Sequence, residues 1–182
     1  VARLPPNISP IDLWKIEAGI QLSRKVQLDY GPINTLLKFK QGIDAGLTAL
    51  QITETLYGDY TEKEVKEKLG VLALVVLYLD FIGERNNFKK AERITEHFID
   101  LRSIIAIERK NNPDPENLTK IKKIGFQLIH DGIDQRGLRK LKDILKISVT
   151  RDEMLKESEK YCQPEKAGAK LGKKLNAEEN DE

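Results

Sequence analysis

Apolar residues recur along this chain at steps of three and four rather than two, a spacing that predicts helices from end to end and no sheet. Ser9-Pro10-Ile11-Asp12 joins an N-cap residue, a proline at the first helical position and an acid in the first turn, and so opens a helix. Leu13, Ile16 and Ile20 share one face of it, Trp14, Ala18 and Leu22 widen that face, and the helix is expected to reach about Leu28, before Gly31-Pro32. A second helix is expected over about residues 34–45, with Leu36, Leu37, Phe39 and Ile43 inward and Gly46 as a left-handed C-cap. Thr48 with Gln51, then Thr61 with Glu64, have capping-box spacing. The first opens a short helix with Leu50, Ile52 and Leu56 that stops at Gly58. The second opens a long one carrying Val65, Leu69, Leu72 and Val76 to Gly83.

After the polar stretch 84–87, Ile94, Phe98, Leu101 and Ile105 form the next stripe, which ends at Asn111-Asn112-Pro113. Asp114-Pro115-Glu116 starts a helix with Leu118, Ile121, Ile124 and Leu128 inward, and Gly132 breaks it. Leu138, Leu141 and Leu145 mark another helix, and Thr150 with Glu153 caps a last one bearing Met154 and Leu155. The expected fold is therefore all-α, with seven to eight helices. Its organisation is a helix-turn-helix-like subdomain over 1–83, a basic helical subdomain over 84–162 and a disordered tail over 163–182, where apolar residues almost vanish.

Charge changes the picture only locally. Thirty-one Lys and Arg oppose 29 Asp and Glu, so no global field marks a nucleic-acid binder. Residues 33–83 hold five bases against seven acids, whereas residues 102–146 hold eleven bases against six acids. The apolar run from Val71 to Leu79 is too short to span a bilayer, so no membrane contact is expected. A single Cys162 excludes an intrachain disulfide, which with the absence of signal-peptide order suggests the cytoplasm. The first residue is Val1 rather than Met, and a fragment of a longer protein is expected.

Candidate chemistry is sparse. His97 and His130 lack the Cys partners or HExxH spacing of a metal site, and no glycine-rich phosphate loop occurs, so no metal, cofactor or enzymatic activity is expected. The layout of residues 36–82, with two helices on either side of a tight turn at 58–60, suggests a helix-turn-helix whose second helix would bring Lys63 and Lys66 to base edges. Arg136, Arg139, Lys140 and Lys142 flank the Leu138–Leu141–Leu145 stripe and suit phosphate contacts. Against this stands a packing or protein-interaction unit whose charges are merely solvated.

Four stretches carry a family resemblance: ISPIDLWKIEA at 8–18, GLTALQITETL at 46–56, TEKEVKEKL at 61–69 and DGIDQRGLRKL at 131–141. Together they make residues 8–155 resemble the helical region of ParB-like proteins, in the ParB/sulfiredoxin superfamily. The resemblance implies a helix-turn-helix with flanking helices that engages DNA. In that family the nucleotide-handling chemistry belongs to an N-terminal α/β domain that nothing here matches. The expected partners are thus DNA, the chain's own missing N-terminal domain or a homodimer mate, with a protein-interaction or dimerisation module as the alternative function.

Overall fold

The computed structural model describes residues 5–22, 31–146 and 148–157. Among these the fold is all-α: α1 (Pro10–Gln21), α2 (Pro32–Asp44), α3 (Ala49–Thr55), α4 (Glu62–Phe81), a 3-10 helix (Phe88–Ile94), α5 (Thr95–Asn111), α6 (Pro115–His130), α7 (Gln135–Ile144) and α8 (Ser148–Glu157). No strand occurs among the described residues. The expected tail over 163–182, and the expected extension of the first helix to Leu28, lie outside them.

Helix starts follow local chemistry. The Ser9 hydroxyl accepts from the Asp12 amide, and Thr48 and Gln51 close a reciprocal capping box. Thr61 and Glu64 do the same, the Glu64 carboxylate taking the Thr61 amide at 2.7 Å and Thr61 Oγ1 taking the Glu64 amide at 3.2 Å. Asp114 and Asp134 cap α6 and α7. The expectation at Thr150 is corrected: α8 begins at Ser148, so Thr150 lies within its first turn and not at the capping position before it.

Helix ends share one device. In α2, α3, α4 and α6 the chain closes with paired bonds of the Schellman type, as in Leu47 N–H to Gly42 O with Gly46 N–H to Ile43 O. The left-handed residue of that motif is Gly46 after α2, Gly83 after α4 and Gly132 after α6, with φ of 98°, 72° and 82°. After α3 it is Tyr57, with φ of 54°, and its Gly58 neighbour is also left-handed. A side chain with a Cβ therefore holds a backbone conformation that the other three turns assign to glycine.

The chain divides into two compact units, Val1–Ala73 and Leu74–Glu182. The division falls within α4, which is one continuous helix across it. In the first unit Trp14, Ala18, Leu22, Phe39, Leu47, Ile52, Leu56 and Val65 form the core, with Tyr60 set edge-on to Phe39 at 5.1 Å.

Only part of the expected face of α1 turns inward. Trp14, Ala18 and Leu22 are buried, while Ile16 and Ile20 are 42% and 53% exposed. Two apolar stripes overlap on this helix, and the contacts of the indole decide between them. Trp14 donates its ring N–H to the Lys38 carbonyl at 2.8 Å and lies against the bare backbone of Gly42, where the absence of a Cβ admits the ring. Ala18, fully buried behind it, lets α1 lie close. On the flank, the buried Lys38 ammonium reaches the Glu17 carboxylate. Similar corrections apply to Leu50, Ile43 and Val76, which are exposed. On α4 the inward stripe runs through Val65 and Leu72 to Val75 and Leu79.

In the second unit α5 is central, packing on α6, α7 and the 3-10 helix. Phe98, Leu101, Ile121, Leu128, Leu138 and Leu141 are fully buried, and Tyr78, Phe98 and Phe126 make edge-on ring contacts. Leu101 sits on the backbone of Gly125, a second place where a helix approaches a glycine.

Candidate nucleic-acid interface

Successive residues of a helix are turned by about 100°, which puts Leu138, Leu141 and Leu145 on one side of α7 and Arg136, Lys140 and Asp143 on the other. The leucines are buried under α5 and α6; Arg136, Arg139, Lys140 and Lys142 are exposed. The Asp134 cap, whose carboxylate takes the Gly137 amide at 2.6 Å, sets where the helix begins and hence which side the bases occupy.

The four bases are not equivalent. Arg139 Nε lies 3.0 Å from both carboxylate oxygens of Asp100 on α5, and this hydrogen bond and charge push the guanidinium further above its ordinary range. Its Nε is already engaged. Arg136 has no ion-pair partner among the described residues, whereas Lys142 acts on Asp143 through its charge. Asp143, the acid on the exposed side, is bonded to Lys146 at 2.8 Å, which together with Lys142 holds its carboxyl below the usual range. Lys142 also borders a crevice of about 270 Å³ between α7 and the end of α5, lined by Glu108, Asn111 and Asn112 among others.

Lys63 and Lys66 lie in the first unit, on the exposed side of the first turns of α4. Lys66 pairs with Glu62, and Lys63 stands 4.0 Å from Glu67, both at i,i+4 spacing. The start of α4 is therefore neutralised by its own glutamates. The structure brings Arg136, Arg139, Lys140 and Lys142 together on one helix of the second unit, and Lys63 with Lys66 on one helix of the first.

The histidines take structural positions. His97 Nε2 is 3.0 Å from the Ile133 carbonyl, tying α5 to the turn before α7, while Nδ1 is buried without a partner. His130 closes α6 in its last turn. No group of three or more His, Cys, Asp or Glu among the described residues is placed to hold a metal ion, and no helix among them is long and apolar enough to cross a membrane.

The sequence did not reveal an apolar surface on the first unit. Ile16 and Ile20 on α1 and Tyr57 at the end of α3 are exposed, Tyr57 at 88%. The signal for it was present: a tyrosine stands directly before Gly58, where the helix must turn left-handed. Comparison with protein-family models, curated proteins and solved structures finds no match to this chain.

Proposed function

We propose that the chain is a helical DNA-binding module that holds the phosphate backbone through the exposed side of α7. The observation that carries this reading is the placement of Arg136 and Lys140 opposite a buried leucine stripe, with Lys142 exposed on its flank and the intervening Asp143 neutralised by Lys146. A packed helix presents these bases on an already ordered backbone, so only their side chains remain to be fixed on meeting phosphate. The short α3, the turn and the longer α4 support a helix-turn-helix role for the first unit, in line with the ParB-like resemblance. Lys63 and Lys66 would have to exchange glutamates for bases, which leaves affinity to α7 and selectivity to α4.

A salt series tests this. Fluorescence anisotropy with a short duplex should show binding at about 50 mM salt and a log-linear loss as salt rises, with a slope of about 0.9 per phosphate contact. Changing Arg136, Lys140 and Lys142 to Ala should lower that slope by about one for each contact removed, with the helix content unchanged. Arg139→Ala should change it least, because its guanidinium serves Asp100. Absence of any binding at about 50 mM salt would reject the reading. A second reading, a protein-interaction module, is favoured by the exposed apolar surface of the first unit.

A further inference from the structure

Four features of the first unit lie on a single patch. Lys15, Ile16 and Gly19 of α1 and Glu54, Thr55 and Tyr57 of α3 and its end line one shallow groove. Ile20 extends the α1 side by one turn and Leu50 the α3 side, both about half exposed. Tyr57 stands beside the groove with its ring almost wholly in water, held there by a left-handed backbone that glycine would adopt without strain. At Gly19 a Cβ would meet nothing within 4 Å, so the groove has an open floor at that point. The rim carries one cation, Lys15, on the α1 side and one anion, Glu54, on the α3 side. Among the described residues Lys15 has only a distant contact, with Asp12 at 4.0 Å.

We infer that this groove is covered by a second copy of the same chain, in a two-fold symmetric dimer. A two-fold interface presents one patch to itself, so it must contain both halves of every contact. This patch does so: a projecting ring beside an open floor, and a positive rim beside a negative one. In such a dimer each Tyr57 ring would face the open floor of the other copy's groove and each positive rim the other copy's negative one. An unrelated partner would need neither the sign balance nor the pairing of projection and hollow. The inference rests on the interaction reading and not on DNA binding, and its experiment is run without DNA, so either can fail alone.

Analytical ultracentrifugation of the full chain should show a monomer–dimer equilibrium in the range of about 1–100 µM, as fits an interface at the small end of specific contacts. Lys15→Glu and Glu54→Lys should each weaken self-association by at least about tenfold, because each sets like charges opposite one another twice. Mixed in equal amounts, the two variants should form a heterodimer about as tight as the wild type, since each contributes the sign the other lacks. Tyr57→Gly should give a folded monomer, because glycine relieves the turn while the ring is lost. A wild-type chain that stays monomeric to about 500 µM overturns the inference, that limit lying beyond the affinities a small specific interface needs. So does a dimer indifferent to all three substitutions, or a charge-swapped mixture that does not recover.

Discussion

Arg151 on α8 donates through both Nε and Nη2 to one oxygen of Glu108 on α5, at 2.9 and 2.7 Å, and both side chains are shielded from water. The pair ties the last described helix to the centre of the second unit. Each partner answers a charge that the interior would otherwise not accept.

Removing one member should therefore harm more than removing both. Arg151→Ala is expected to lower stability by about 3 kcal/mol, because the buried Glu108 carboxylate loses the cation hydrogen-bonded to it. Arg151→Met combined with Glu108→Leu should recover most of that loss. Chemical denaturation of the three proteins checks this; equal losses for the single and double variants would show that packing, and not the charge, is what Arg151 supplies.

Two glycines in the first unit should respond oppositely to alanine. At Gly42 an added Cβ would lie 2.7 Å from the Trp14 ring, so Gly42→Ala should cost about 1–3 kcal/mol through displacement of the indole. Gly19 lies inside α1 with open space where the Cβ would go, and Gly19→Ala should gain about 0.5–1 kcal/mol from helix propensity alone. Thermal melts at low protein concentration separate the two. A stabilised Gly42→Ala would mean that the indole is not seated against that backbone.

Tyr57→Gly is expected to raise the stability of the monomer by about 1 kcal/mol, since the left-handed conformation costs a tyrosine roughly that much and glycine almost nothing. The same substitution should abolish self-association. A variant that is more stable yet no longer dimeric would identify Tyr57 as a residue kept at the expense of its own turn.

Burial and the Asp131 carboxylate hold the Tyr78 hydroxyl above its ordinary value of 10.0. The folded state thus retains this proton more tightly than the unfolded chain does, and the stability it contributes is complete below about pH 10 and declines as pH rises through the folded value. Tyr78→Phe should remove that decline. Unfolding free energies of the two proteins, compared between pH 8 and about pH 11, should converge on the alkaline side relative to a Tyr78→Phe reference line; parallel curves would show that the hydroxyl titrates as freely in the folded chain.

What could be read from the sequence was what acts over one or two turns. The caps at Ser9, Thr48, Thr61 and Asp114, and the stripe Leu138–Leu141–Leu145, depend on neighbours within four residues and appear in the structure as the spacing predicts. The pairing of Lys63 and Lys66 with Glu67 and Glu62 was equally local and could have been anticipated from its i,i+4 spacing. The inward face of α1 was not decidable this way, because both of its stripes are apolar and the choice rests on Gly42 and Lys38 in another helix. Arg139 illustrates the same limit for the candidate site. It reads as a phosphate ligand by position, yet Asp100, 39 residues earlier, already occupies it.

Trp14 is the one tryptophan in the chain, and it is buried in the first unit with its ring N–H bonded to a carbonyl. Its emission consequently reports the first unit alone, whereas far-ultraviolet circular dichroism sums the helices of both. The chain thus contains a built-in optical probe that distinguishes one half from the other without any label. Superimposable unfolding curves from the two signals would mean that the halves melt as a single cooperative body, and separated curves would give each half its own midpoint.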